Sequence, residues 1–152
     1  MTSEAHAPAA DELATEAWRR VRSICNDPVT EAAWQQIMHE TGLTAGPMRA
    51  LRFLPLAEPL PMRRLAGRMG CDNSYVTSLV DTLEERGLAR RESHPTDRRI
   101  KVIVLTEKGR GLAERVQRAY TAPPAAFSAL TDTEVATLCA LLRRLDPAGA
   151  GG

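Results

Sequence analysis

Apolar side chains recur along this chain at spacings of three and four until, past its middle, the period changes to two. From Asp11 to Cys25 the apolar positions are Ala14, Ala17, Trp18, Val21 and Cys25, the stripe of an amphipathic helix. Asn26-Asp27-Pro28 interrupts it. Asp27 can cap, and Pro28 can open, a second helix that runs to about Thr41 and stops at Gly42. Thr44 to Leu54 is a third, with Thr44 as its cap and Pro55 just beyond its end. Two shorter helices follow. Pro61 suits a first helical position, Met62, Leu65, Ala66 and Met69 make a stripe, and Gly70 suits a left-handed close. Asp72 or Asn73 caps the next helix, whose inward stripe is Val76, Leu79, Val80 and Leu83 and which ends at Gly87. Two short helices across a three- or four-residue turn form a helix-turn-helix.

After Gly87 the pattern changes to strands. Leu88–Glu92 and Ile100–Leu105 are rich in β-formers, and the tip between them, His94-Pro95-Thr96-Asp97-Arg98-Arg99, makes the pair a hairpin. Thr106 then caps a long helix with Leu112, Val116, Ala119 and Tyr120 on one face, and Pro123-Pro124 breaks or bends it. Thr131-Asp132-Thr133-Glu134 is a capping box, and Val135, Leu138, Leu141, Leu142 and Leu145 form the broad apolar face of a last helix. The predicted fold is mainly α with a small two- or three-stranded β wing, a winged helix-turn-helix.

Composition narrows the function. The 152 residues suit one domain with a core; Phe, Tyr and Trp occur twice each, and the Ala- and Leu-rich remainder favours helices. No apolar run approaches a membrane span, and Met1–Ala10 lacks the pattern of a secretory signal. That opening and the Pro-Ala-Gly ending after Asp146 read as disordered tails. Cys25, Cys71 and Cys139 are odd in number and far apart, which argues against a disulfide framework and for a reduced, cytoplasmic setting. No paired Cys or His spacing suggests a metal, and no nucleophile elbow or phosphate-binding glycine loop suggests an enzyme or a cofactor.

The net charge of +1 conceals an asymmetry. Arg63 to Arg118 holds 13 Lys/Arg against 8 Asp/Glu, a balance of +5, whereas the rest holds 7 against 11, a balance of −4. A basic middle suits a polyanion, although a solvated charged face gives the same count. Double-stranded DNA fits best. A helix enters the major groove, and opposite its core stripe the second helix of the motif displays Ser74, Tyr75, Thr77, Ser78, Asp81 and Thr82. Asn73 and these short hydroxyls at its N-terminal half are candidates for base edges and phosphate, aided by the helix dipole. Tyr75 serves equally as a contact or as packing. Arg63 and Arg64 are candidates for phosphate, and Arg98 and Arg99 for the neighbouring minor groove. Asp81, Glu84 and Glu85 would repel phosphate, so that end of the helix should point away or pair within the protein.

At this point the stretch "LEERGLARRESHPTDRRIKVIVLTEKG" resembles the signature of MarR-type regulators: Leu83, Glu84, Gly87 and Leu88 in the turn, Pro95, Asp97, Arg98 and Arg99 in the wing, and Leu105, Thr106 and Gly109 at the start of the next helix. "GLTAGPMRALRFL", Gly42–Leu54, is similar to the family's second helix. The resemblance runs from about Asp11 to Asp146. It implies a homodimer built from residues 11–41 and 107–146 around a winged helix-turn-helix at 44–106, with tails at 1–10 and 147–152. It also implies Arg99 in the minor groove, held by Asp97 through a charge-assisted hydrogen bond, Arg98 nearer the phosphates, and Pro95 shaping the turn. Such a dimer reads a pseudo-palindromic operator with half-sites roughly 34 Å apart. His94 departs from the family, which usually has Asp before the wing proline. It is either a tolerated loop residue or an added positive charge near neutral pH.

In the family, the segments holding Trp34, Met38, His39, Arg49 and Phe53 border an effector pocket that would suit a small aromatic or carboxylated ligand; a filled core is the alternative for each. Cys25 lies on the first helix, where some relatives carry a peroxide-sensing cysteine, but a buried structural role is the expectation. Cys71 is expected to pack, and Cys139 to lie in the core or the dimer interface. The implied function is a dimeric, sequence-specific DNA-binding transcriptional regulator, a repressor released by a small effector. The alternatives are a thiol-oxidation sensor of the same fold and a winged-helix protein-interaction module without DNA binding.

Overall fold

The computed structural model describes residues 10–145. The tails expected at 1–10 and 147–152 lie outside the described residues, apart from Ala10, which begins the first helix. In order the elements are α1 (Ala10–Cys25), α2 (Pro28–Thr41), α3 (Ala45–Phe53), β1 (Leu60–Pro61), α4 (Met62–Met69), α5 (Asn73–Glu85), β2 (Ala89–Ser93), β3 (Lys101–Leu105), α6 (Glu107–Thr121), a 3-10 turn (Ala125–Ala129) and α7 (Asp132–Leu145). They form two units, residues 30–122 and the terminal parts up to residue 29 and from residue 123.

Local chemistry places most boundaries where the periodicity predicts them. Asp72 accepts from the Tyr75 amide at 2.8 Å and so starts α5, while Gly70, at φ +62, turns the chain out of α4. Thr106 caps α6 by accepting from the Gly109 amide at 3.0 Å. The capping box at Thr131 closes as expected: Glu134 accepts from both the amide and the hydroxyl of Thr131, which holds its carboxyl below the usual carboxylate range. Thr44 sits at the N-cap of α3 in an extended conformation, but its side chain makes no capping bond.

Three expectations need correction. Pro61 does not begin a helix: with Leu60 it forms a short edge strand, Leu60 opposite Ile103 and Pro61 opposite Val102, so the wing sheet has the order β1-β3-β2. An edge position suits a residue without an amide hydrogen. Tyr120, assigned to the buried face of α6, is 48% exposed, and the Arg52 guanidinium stacks on its ring. Cys25, expected to be buried, is exposed; Cys139, expected in the core or the dimer interface, lies outside the core of the single chain, and Cys71 packs against that core. The reason for the last is that α1 and α7 bury no residue within the single chain.

The core belongs to residues 30–122. Met48, Leu51, Leu54, Leu65, Met69, Val76, Val80, Leu83, Ile103 and Val116 are fully buried, so α3, α4, α5, β3 and α6 share one apolar interior. Each such side chain contributes roughly 1.5–3 kcal/mol by leaving water. All four stripe residues of α5 are buried, which fixes the rotation of that helix and turns its hydroxyl-bearing face outward.

Candidate nucleic-acid interface

The outward face of α5 carries Asn73, Ser74, Tyr75, Thr77 and Ser78, all exposed. Thr77 donates its hydroxyl to the Asn73 carbonyl at 2.8 Å and Ser78 to the Tyr75 carbonyl at 2.9 Å. Their lone pairs therefore face outward, and rotation toward a phosphate exchanges a neutral hydrogen bond for a charge-assisted one. Asp72 occupies part of the expected anion site at the helix start, because its carboxylate already takes the Tyr75 amide. Tyr75 is both surface and packing. It is 45% exposed, yet a Cβ built on Gly46 would lie 2.9 Å from its hydroxyl and 2.7 Å from Leu79 Cδ2. Tyr75 and Leu79 thus lie against the bare backbone at the start of α3.

The tip of the wing is built by backbone and short side chains. The His94 amide donates to the Ile100 carbonyl at 2.9 Å, and the Ile100 amide to the Asp97 carbonyl at 3.0 Å. Asp97 also accepts from the Arg99 amide at 3.0 Å. This is the charge-assisted bond expected of Asp97, made to the backbone amide of Arg99: the carboxylate orders the turn beneath that residue and leaves its guanidinium without a side-chain partner. His94 also orders the tip. Its Nδ1 accepts from the Thr96 amide at 3.3 Å and lies 3.0 Å from the Thr96 hydroxyl. Pro95 and Asp97 are both exposed on this tip.

A cleft of about 650 Å³ opens between the tip and the start of α4, lined by Pro61, Met62, Arg63, Arg64, His94, Arg99, Ile100 and Lys101. Four of these are Arg or Lys and none is acidic. Most cations of residues 30–122 are occupied within the protein: Arg49 donates to the Met69 carbonyl, Arg68 to that of Phe53, Arg86 to that of Thr41, and Lys101 to the Ser93 hydroxyl. Arg52 is taken up by ring stacking. Among the described residues of this unit, Arg63, Arg64, Arg98 and Arg99 are the arginines whose side chains have neither a hydrogen bond, an ion pair nor a stacked ring. Three of the four line the cleft, and Arg98 adjoins it in sequence. Unpaired guanidinium groups concentrated in one place repel one another and attract a polyanion.

Arg91 is the residue that periodicity alone misses. From β2 its Nη1 pairs with Asp81 at 2.7 Å and with Glu84, its Nη2 donates to the Thr77 carbonyl at 3.0 Å, and its amide donates to Glu84 Oε1 at 2.6 Å. The wing strand is thereby clamped to α5, and Asp81 and Glu84, two of the three carboxylates that would repel phosphate, share one guanidinium within the protein. The only signal in the sequence is an acidic pair three residues apart on one helix face, followed across a turn by an arginine. Arg91→Ala is expected to cost about 1–3 kcal/mol in denaturant unfolding and to weaken duplex binding, because it leaves both carboxylates uncompensated. Unchanged unfolding would show the clamp to be ornamental.

Of the five expected pocket residues, Trp34, Met38 and Phe53 are partly buried against the core. Arg49 is exposed, 6.0 Å from the Phe53 ring centroid, and His39 is exposed on α2. A second cleft, about 460 Å³, lies elsewhere in the same unit, among Glu40, Thr41, Leu43, Arg86, Leu88, Lys108, Gly111, Leu112 and Arg115.

Comparison with known proteins agrees with this geometry. A model of the MarR family matches residues 43–101. A protein of Thauera aromatica described as a putative transcriptional regulatory protein for the hcr operon is 36% identical over 105 residues, 68% of this chain; the match spans 63% of that relative's length. A solved transcriptional regulator of the MarR family from Rhodococcus sp. RHA1 is 30% identical with a TM-score of 0.58, covering 91% of this chain and 96% of its own. CouR from Rhodococcus jostii RHA1, solved bound to p-coumaroyl-CoA, is also 30% identical, with a TM-score of 0.61 and coverage of 91% and 95%.

Proposed function

Because this chain belongs to the MarR family of winged-helix, DNA-binding transcriptional regulators, we propose that it acts as a homodimeric repressor on a pseudo-palindromic operator and is released by a small effector. The observation that carries the DNA-facing part is the set of unpartnered arginines, Arg63, Arg64, Arg98 and Arg99, around a cleft without a carboxylate. In this reading Arg99 probes the minor groove, and Arg98 and Arg63 hold phosphates. Asn73, Ser74, Tyr75, Thr77 and Ser78 face the major groove, and Pro95 and Asp97 shape the tip.

The homodimer rests on the terminal helices. Leu13, Trp18 and Ile24 on α1 and Leu141, Leu142 and Leu145 on α7 are exposed, and a second copy is what the family's architecture brings to such faces. The effector part rests on CouR, whose ligand joins an aromatic acyl group to an anionic carrier. An aromatic acid or its thioester is the effector class for this chain, favouring a dimer whose recognition helices no longer match the operator. No helix among the described residues is long and apolar enough to cross a membrane, and a regulator of this kind works where the DNA is, in the cytoplasm. The exposure of Cys25 and Cys139 leaves the thiol-sensing alternative chemically open to oxidants.

Fluorescence anisotropy with operator-length duplexes tests the proposal. If four arginines per protomer meet phosphate or groove, log K should fall with log salt at a slope of about −7 for the dimer. Binding that ignores salt, or that does not distinguish sequences, would instead mark a protein-interaction module.

A further inference from the structure

The second cleft carries chemistry that DNA binding leaves unused. Its floor is apolar: Leu43, Leu88 and Leu112 are buried. Its rim is cationic: Arg86, Lys108 and Arg115 all face it, against the single carboxylate of Glu40. Glu40 is paired with Arg115 and accepts from Gln36 at 2.9 Å, and both interactions, Arg115 first, hold its carboxyl below the usual range. It therefore neutralises one cation at neutral pH. The other two meet only neutral partners. Arg86 donates to the carbonyls of Thr41 at 3.1 Å and Gly42 at 3.3 Å, and Lys108 donates to the Arg86 carbonyl at 3.2 Å. Two positive charges are thus uncompensated beside an apolar floor. At Gly111 the wall is bare helix backbone, with no atom within 4 Å of where a Cβ would stand. A volume of about 460 Å³ falls in the range of small-molecule sites.

We infer that this cleft among α2, the end of α5 and the first turns of α6 is the binding site for an anionic amphiphile, an aromatic carboxylate or its coenzyme A thioester, with the ring on the leucine floor and the anion on Arg86, Lys108 and Arg115. This rests on the reading that the chain is an effector-released regulator, and it moves the effector away from Trp34, Met38, His39, Arg49 and Phe53. The position explains how occupancy reaches the DNA-facing side. Arg86 is the C-cap of the recognition helix α5 and also bonds the last carbonyls of α2, while Lys108 ties the same residue to α6. A ligand anion competes with the Thr41 and Gly42 carbonyls for Arg86 and with Glu40 for Arg115. Either exchange loosens α2 from the end of α5 and biases the set of helix orientations.

Calorimetric titration of the full chain with benzoate and with benzoyl-CoA separates free acid from thioester. At least one probe should bind. Gly111→Leu, which fills the cleft from an open helix position, and Lys108→Ala, which removes a rim charge, should each weaken that probe by about tenfold or more. Gly111→Leu should still bind duplex DNA but no longer release it when the probe is added. Unchanged probe affinity in both variants, loss on Trp34→Ala instead, or no binding of either probe would overturn the site. Absence of selective duplex binding by the unmodified chain would overturn the regulator reading separately, since the calorimetric result needs no DNA.

Discussion

Arg99→Ala is expected to weaken operator binding by about 10- to 100-fold, equivalent to roughly 1–3 kcal/mol, without lowering the thermal stability of the protein. The two halves of that expectation have separate grounds. Arg99 makes no side-chain bond within the chain, so its removal leaves no buried partner unsatisfied, and the turn that carries it is held by backbone bonds from His94, Ile100 and Arg99 itself. The affinity loss comes from a cation preorganised at the rim of a cleft that already holds Arg63, Arg64 and Lys101. Asp97→Ala should resemble it for a different reason, since the carboxylate orders the peptide beneath Arg99. Salt titration tells the two apart. Arg99→Ala lowers the salt slope by about 1 for each phosphate left unneutralised, whereas Asp97→Ala keeps the cation and leaves the slope closer to that of the unmodified chain. Wild-type affinity for Arg99→Ala in both low and moderate salt would remove the wing from the interface.

Gly109→Ala is expected to destabilise residues 30–122 by about 3 kcal/mol or more, lowering the melting temperature by on the order of 10 °C. Helix propensity alone argues for the opposite sign, because Ala is favoured over Gly in a helix by about 1 kcal/mol. Tertiary contact decides. A Cβ at position 109 would lie 1.7 Å from the Leu88 carbonyl oxygen and 2.6 Å from its carbon, a backbone that cannot rotate away. That same oxygen accepts from the Thr106 amide at 3.0 Å, and the Thr106 hydroxyl donates to the Gly87 carbonyl at 2.7 Å. The first turn of α6 is therefore seated directly on the turn that ends α5, and pushing them apart breaks the cap and shifts the recognition helix. Gly111→Ala, two residues on, meets nothing within 4 Å and should stabilise by up to about 1 kcal/mol. Opposite signs from two glycines in one helix, read by thermal unfolding, make a stringent comparison; a stabilised Gly109→Ala would contradict the close seating of α6 on Leu88.

These cases mark the division between chain and fold. The amino-acid sequence determined the helices and their ends, because a 3.6-residue stripe such as Val76, Leu79, Val80 and Leu83, a cap such as Asp72 or Thr106, and a stop such as Gly70 depend on residues close together in the chain. It also determined the wing, since β-formers on either side of a proline- and aspartate-bearing tip carry their pairing in their own pattern. What it left open were the contacts made between residues distant in the chain. β1 is too short to show a period and exists only because β3 offers it a partner. The grip of Arg91 on Asp81 and Glu84 and the closeness of Gly109 to Leu88 depend on distances that no local spacing encodes. So does the choice of Asp97 between the backbone and the guanidinium of Arg99. The same holds for the second cleft, whose walls come from α2, the end of α5 and α6. Tertiary structure alone decided which arginines of residues 30–122 are spent on carbonyls, carboxylates and rings and which four of that unit remain unpaired. A side chain's availability depends on what packing places beside it, whereas its tendency to sit on a helix or strand is set by its nearest neighbours in the chain.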